Sequence, residues 1–338
     1  MREFFGKYLK GDPVIWLVVF ILSIYGILAV YSSMGSLAYS KGVSTEAYLF
    51  KHVALLIFGL FAMWLTHMVN IQYFSRIGQL MLFVAVPLLI YTLLFGVTIN
   101  EATRWVRLPG LGLTVQSSDF AKLALVVFVA GFMAKRQGEV HDFKKTLIPI
   151  LGIILLVCML IFPEDLSTSA VLFTTSMLVL FIARIPLKQI GLLVGIGVFV
   201  LGGMFAYVMN ADVDFGRLKT MKSRIEAFSA DTDDGGTFQS RQAKIAVARG
   251  GFTGQGPGQS RQKNILPSPF ADFIYAIIIE EYGSIFGGLA LVILYMILLY
   301  RSFRIVLMSS NPLAALLAIG LAFSLVVQAL INMGVAVN

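Results

Sequence analysis

Residues 264–283 read NILPSPFADFIYAIIIEEYG, and the reading of this stretch decides how the chain is organised. Pro267 and Pro269 break any preceding regular element, and an apolar run begins just beyond them. Three carboxylates sit in it: Asp272 at the start, Glu280 and Glu281 further in. The run continues without another charge as far as Tyr300. As one helix from Asp272 to Tyr300 it would be about 43 Å long at 1.5 Å per residue. A bilayer's hydrocarbon core is only about 30 Å thick. The helix must therefore tilt or project, and Asp272 can stand among water or headgroups. Placed in the first turn, Asp272 would complement the positive end of the helix dipole. It reads either as a capping acid or as a general base at the membrane face. Glu280 would lie about 12 Å deeper. At about 100° per residue it is turned roughly 80° from Asp272, and Glu281 roughly 180°. The glutamates cannot both share the face of Asp272. At least one needs a partner inside the bundle, because acids within a membrane are paired or line a cavity.

The rest of the chain supports a lipid setting. Of its 338 residues 58% are hydrophobic and 13% charged, with mean hydropathy +0.86. A soluble protein would carry roughly 25% charged residues. Nine apolar segments are expected to be helices, at 14–34, 48–69, 76–97, 118–134, 147–162, 166–183, 189–210, 272–300 and 312–335. They lack the alternation of barrel strands. The fold class is thus all-α and polytopic, with nine transmembrane helices and a large loop, 211–271, between the seventh and eighth. The first run is read as a retained span rather than a cleaved signal. The fifth and sixth runs, separated by PEDLS, are either two spans or a helix pair that dips.

Net charge is +8, but the cations sit mostly in short loops between apolar runs, which argues for membrane orientation and against nucleic acid. With the N-terminus inside, twelve Lys and Arg fall in inner segments (Arg2, Lys7, Lys10, Arg76, Lys135, Arg136, Lys144, Lys145, Arg184, Lys188, Arg301, Arg304). Four fall in short outer loops (Lys41, Lys51, Arg104, Arg107). The loop 211–271 is then extracytoplasmic. Within it TFQSRQAKIAV suits a short amphipathic helix and RGGFTGQGPGQS a glycine-rich loop. Cys158 is the single cysteine, and His52, His67 and His141 show no metal-ligand spacing.

Other polar clusters gather at predicted outer ends. RWVRLPGLGLTVQSSDFAK carries Arg104, Arg107, Asp119 and Lys122, with Ser117 or Ser118 available as a helix cap. Asp119 and Lys122 are three apart on one face, either a helix-start ion pair or a lysine that needs a cavity. PEDLST carries Glu164 and Asp165 and can be a simple polar turn. Gln239, Lys244, Arg249, Arg261, Gln262 and Lys263 lie among glycines, a mix suited to a phosphate-rich ligand or to anionic lipid. Cations beside carboxylates at one face suit a charged head on a lipid tail better than an ion pathway.

These motifs resemble the SEDS family of bacterial peptidoglycan polymerases, which includes FtsW (division) and RodA (elongation). The likeness is carried by RWVRLPGLGLTVQSSDFAKLAL, PEDLSTSAVL, FQSRQAKIAVARGGFTGQGPGQSRQKNILPSPFADFIYAIIIEEYG and INMGVAVN. The stretch ILAVYSSMGSLAYSKGVSTEAYLFKH looks more like the FtsW branch. The resemblance implies polymerisation of lipid II, an undecaprenyl-pyrophosphate-linked disaccharide-peptide, at the division septum. It implies a plasma-membrane location, with the active site on the extracytoplasmic face. By resemblance Asp272 is the catalytic acid of the D-F-I-[FY] motif. Arg104, Gln116, Asp119, Lys122, Gln239 and Lys263 are the matching substrate-binding candidates, with Asp165, Glu280 and Glu281 as structural polar partners. No metal-ligand set is implied, although a divalent cation, Mg or Mn, could assist. Expected partners are lipid II, a class B penicillin-binding protein transpeptidase and other divisome membrane proteins.

Departures from the family pattern are expected to matter. The family usually has Pro before the serine of QSSD, Glu where Asp119 stands, Gly where Ser167 stands, and a small or polar residue where Arg249 stands. Asp for Glu shortens the reach to Lys122 by a methylene, so a looser or water-bridged pair is expected. The family usually continues past INMGVAVN into a tenth span, so 1–338 reads as a single SEDS-type domain lacking its last span. Two other functions fit the same composition. One is a flippase for the lipid-linked precursor, with Glu280, Glu281 and Lys122 lining a cavity. The other is a scaffold that only recruits a transpeptidase.

Overall fold

The computed structural model describes residues 11–35, 42, 44–99, 102–107, 114–140, 142–163, 165–210, 235–266 and 271–337. The expected outer loop from 211 to 234 lies outside the described residues, as do Lys41, His141, Glu164, Pro267 and Pro269. Each of the nine apolar segments is helical. The helices are α1 (Pro13–Ser33), α2 (Thr45–Met68), α3 (Ile71–Phe95), α4 (Ser117–Lys135), α5 (Ile148–Ile161), α6 (Leu166–Ile182), α7 (Leu187–Asn210), α8 (Gly235–Gly250), α9 (Ile274–Gly283), α10 (Ala290–Met308) and α11 (Pro312–Val337). Among the described residues seven helical stretches are long and apolar enough to cross a membrane, and Leu166–Ile182 and Leu187–Gly203 are shorter apolar helices. Seven of the nine expected spans thus meet that length and hydropathy among the described residues. Between α3 and α4 a three-stranded antiparallel sheet runs in the order β1 (Val97–Ile99), β2 (Ala102–Arg107), β3 (Thr114–Gln116). Trp105 pairs with Gln116 and Arg107 with Thr114.

The chain divides into two compact units. One comprises Asn70–Asp231 and Ser302–Leu325. Its axis is α4, where Ala121, Ala124, Leu125, Val129 and Ala130 are fully buried. α3 lies against α4 at a distance only small residues permit. A Cβ on Gly78 would stand 2.9 Å from the Phe128 amide nitrogen, and one on Gly131 would stand 3.0 Å from the Ser75 Cα. Close backbone approach of this kind gives van der Waals contact where lipid removes the hydrophobic drive between helices. Gly320 of α11 fits the same way against Val126 and Val179. α5 and α6 follow each other closely in the chain and pack together, the Ser169 hydroxyl donating to the Cys158 carbonyl at 2.9 Å.

α6 ends in a Schellman turn. The Ile185 amide donates to the Leu180 carbonyl at 3.2 Å and the Arg184 amide to the Phe181 carbonyl at 3.0 Å. Leu180 and Ile185 are both buried, supplying the apolar contact that accompanies the motif. Arg184 occupies the left-handed position, φ 69°, where glycine is usual.

The other unit comprises Met1–Val69, Thr232–Arg301 and Val326–Asn338. Asp12 accepts from the Val14 amide at 2.9 Å and caps α1, with Pro13 as its first residue. The same carboxylate receives the Arg301 Nε at 2.6 Å, tying the start of α1 to α10. Val18 packs with Leu298 and Val326, and Ala29 with Ile278 and Leu291. α1 therefore lines this unit from the end of α10 to α9.

Candidate active site

Asp272 lies in the turn that enters α9. The Ile274 amide donates to the Ala271 carbonyl at 3.4 Å, and the helix begins at Ile274 with Phe273 as its N-cap. Asp272 is exposed, and no described residue hydrogen-bonds or pairs with it. The expectation that it sits in the first helical turn is corrected, because it lies two residues before the first helical residue. It stands just outside the cap position, where it donates nothing to the helix hydrogen-bond ladder and faces outward. Its neighbour Phe273 points the other way. Phe273 is buried with Leu266, Ala276, Ile277 and the α8 residues Ala243 and Ala246. This small apolar cluster anchors the head of α9 and leaves the carboxylate of Asp272 in the open.

The other end of α9 departs from a single long span. Gly283 has φ 80° and ψ 170°, a conformation that leaves the helix, and a π-helical turn at Ser284–Leu289 follows before α10. Breaking a helix in a membrane frees backbone groups that must find partners. The glycine-rich loop after α8 supplies them. The Gln255 and Gly256 amides donate to the Glu280 and Glu281 carbonyls, each at 2.9 Å. The Ser284 amide donates to the Gly251 carbonyl at 2.8 Å. Approach this close needs glycine. A Cβ would fall 2.2 Å from the Ile279 carbonyl oxygen at Gly250, 2.3 Å from that of Glu281 at Gly254, and 2.2 Å from that of Phe252 at Gly283.

Both inner carboxylates are buried, where the sequence demands a partner for at least one of them. Each faces the loop wrapped around the helix end, because two side chains about 100° apart can both be covered by a segment that crosses the helix. Glu280 accepts the Ser260 hydroxyl and the amides of Arg261 and Gln262, at 3.2 and 3.3 Å, and faces the Arg249 Nε at 3.8 Å. Glu281 accepts the Ser32 hydroxyl from α1 and the Ser260 amide at 3.3 Å. The Lys263 ammonium stands 3.9 Å from Glu281, donating to the Gly258 carbonyl at 2.7 Å and to Ser32 at 3.4 Å. Lys263, expected as a substrate cation, is thus occupied inside the protein, with its side chain 18% exposed. Gln239 sits half-buried on α8.

The remaining candidates belong to the unit built on α4. Arg104 is on β2. Gln116 ends β3 and caps α4 by position without a side-chain bond to its amides, its Nε2 donating instead to the Ser118 hydroxyl at 2.9 Å. Ser117 and Ser118 are both buried inside the first turn, so neither is the expected cap. Asp119 and Lys122 pair directly at 2.8 Å, correcting the looser or water-bridged arrangement expected of the shorter acid. The lysine side chain is 9% exposed and the aspartate 57%, so the flexible lysine stem closes the missing length. Asp165 accepts from the Thr168 amide at 3.0 Å and the Ser167 hydroxyl at 2.6 Å, and so caps α6.

The FtsW/RodA/SpoVE family, described as cell cycle proteins, matches residues 12–338. The chain belongs to this family. It is 30% identical to stage V sporulation protein E of Bacillus subtilis, over 97% of this chain and 88% of that one. It is 32% identical to a probable peptidoglycan glycosyltransferase FtsW of Alcanivorax borkumensis, over 96% and 83%. Its fold is shared with a solved chain from work on coordination of polymerization and crosslinking by a peptidoglycan synthase complex. There the TM-score is 0.74 at 22% identity, over 98% of this chain and 88% of that one. Thermus thermophilus RodA, a rod shape determining protein, superposes with a TM-score of 0.65 at 21% identity, covering 98% and 87%.

In this member of the FtsW/RodA/SpoVE family the residues missed by sequence reading are Ser32 and Ser260. Each offers its hydroxyl to a buried glutamate. Ser32 and Ser33 are adjacent polar residues at the end of the first apolar run, a faint signal of a polar partner. Ser260 carried none, lying in a loop already rich in small residues.

Proposed function

We propose that this chain is a membrane glycosyltransferase that polymerises lipid II into glycan strands at the division septum, with Asp272 as general base. One observation carries the assignment. Of the three carboxylates in the decisive stretch, Glu280 and Glu281 are buried and engaged, and only Asp272 is exposed and available. Asp272 takes the proton from the acceptor sugar hydroxyl as that oxygen attacks the anomeric carbon of the second sugar. The bond from that carbon to the lipid pyrophosphate breaks, and the pyrophosphate leaves with the electron pair. Cations placed near the leaving oxygen stabilise its developing charge, a part assigned to Arg104 and Lys122. Gln116, Asp119 and Gln239 are assigned to substrate positioning. Lys263 acts through the loop it holds. The names of the relatives support the activity, and the FtsW names among them favour the division branch.

A divalent cation, Mg2+ or Mn2+, would arrive on the substrate pyrophosphate. Glu280 and Glu281, the adjacent acids best placed to chelate one, already face hydroxyls, amides and cations of the protein. The reading places the chain in the bacterial inner membrane, with the N-terminus cytoplasmic and Asp272 on the outer face. The twelve-to-four distribution of Lys and Arg supports that orientation. A class B penicillin-binding protein and other divisome membrane proteins are the partners. The test is glycan synthesis from purified lipid II by the chain in proteoliposomes, with and without that transpeptidase. Asp272→Asn is expected to abolish polymer while leaving partner binding intact. Undiminished polymer from Asp272→Asn defeats the assignment. Lipid II crossing the bilayer without polymer would move the chain to the flippase reading.

A further inference from the structure

We propose that Glu280 is a positioning residue for the reaction, holding residues 260–262 so that Leu266 packs in one cluster with Phe273, beside Asp272. This rests on the reading of Asp272 as the base. Residues 260–262 are held at position 280, at the far end of α9, and residues 272–273 lead into its near end. Positions 273 and 280 are about 10 Å apart along that helix.

Glu280 holds residues 260–262 directly. One carboxylate gathers the Ser260 hydroxyl, the Arg261 and Gln262 amides and the Arg249 Nε. Ser260 is itself placed by this bond, and its oxygen accepts the Lys263 amide at 3.1 Å. The short 3-10 turn Gln262–Asn264 is thereby capped from another element. Leu266 then enters the apolar cluster that also buries Phe273, beside Asp272. The order along the chain is clasp, turn, apolar anchor, base. A carboxylate is required at position 280 because every group facing it is a donor. An amide of the same shape offers one acceptor oxygen and turns N–H groups toward N–H groups.

The test is steady-state lipid II polymerisation by Glu280→Gln in proteoliposomes with the transpeptidase partner. Folding is followed by gel filtration and thermal unfolding. Misplacing a catalytic group by an ångström costs about 100-fold. The expected result is a kcat lower by about 10- to 100-fold with KM changed less than about twofold, in protein that stays folded. A kcat within about twofold of wild type in folded Glu280→Gln overturns the proposal and leaves Glu280 a stabilising residue only. So does a rise in KM alone. If Glu280→Gln does not fold, Ser260→Ala removes one donor and keeps every charge. There a several-fold fall in kcat at constant KM is expected, and an unchanged kcat overturns the proposal. Asp272→Asn, run in parallel, separates the two failures. If that variant is active, the reading of Asp272 falls. If it is inactive while both clasp variants are fast, only the inference falls.

Discussion

Replacing Gly254 with alanine tests whether the broken end of α9 is completed by the glycine-rich loop. Gly254 has φ +82°, and an added Cβ would stand 2.3 Å from the Glu281 carbonyl oxygen and 2.5 Å from the Gly283 amide nitrogen. Both neighbours are backbone, so relief requires the loop to move off the helix. Alanine at this φ costs about 1 kcal/mol in strain. Moving the loop weakens the bonds from the Gln255 and Gly256 amides to the Glu280 and Glu281 carbonyls, both 2.9 Å. Each is worth about 1 kcal/mol, and more where a carbonyl is left unsatisfied. The sum is about 3 kcal/mol, a fall of roughly 6 °C or more at about 2 °C per kcal/mol for a chain of this size. Gly258→Ala is the control. Gly258 has φ +75° with nothing within 4 Å of its Cβ, so it carries the strain without the collision. Its expected cost is about 1 kcal/mol, or roughly 2 °C. The assay is thermal unfolding of purified protein in detergent, followed by tryptophan fluorescence and by loss of the monodisperse peak. Equal shifts for the two variants would refute the docking of loop on helix end.

Asp119→Asn is expected to destabilise more than Lys122→Met, by about 1–3 kcal/mol in the same assay. The first leaves a mostly buried ammonium without this carboxylate, the second an aspartate that is already 57% exposed. Arg184→Gly should raise the unfolding temperature by about 2 °C, because glycine takes the left-handed φ of 69° without the roughly 1 kcal/mol strain of a side chain. Asp12→Ala should cost about 2 kcal/mol, read as earlier thermal unfolding. It removes both the cap of α1 and the carboxylate that receives Arg301.

Hydropathy located every long helix, because lipid demands apolar length and the chain supplies it in nearly uninterrupted runs. It could not locate the break at Gly283. EYGSIFGGLA is as apolar as its surroundings, and glycines are ordinary in membrane helices. The break depends on a partner segment some thirty positions earlier, and hydropathy carries no pairing information. The separation of Asp272 from Glu280 and Glu281 was legible, since spacing alone put them at different depths and faces. The burial of both glutamates was not, because it requires Ser32, Ser260 and the 261–262 amides to converge from distant positions. The cap of α4 was misread for a related reason. Ser117 and Ser118 have the right chemistry for a cap, but α4 is enclosed from its first turn and the small serines serve as packing. The direct Asp119–Lys122 pair was misjudged by counting methylenes on the acid and ignoring the freedom of the lysine stem.

The bonds between the 251–256 loop and α9 also bear on how the chain is made. A helix that stops in the middle of an apolar stretch cannot rest in lipid until its freed carbonyls and amides are matched. Here the matching segment precedes the helix in the chain, so it is synthesised and delivered to the membrane surface first. When α9 follows, the amides of Gln255 and Gly256 already exist to receive the carbonyls of Glu280 and Glu281. Reversing that order by circular permutation would send the broken helix into the bilayer ahead of its complement, and insertion of that span is where such a chain should stall.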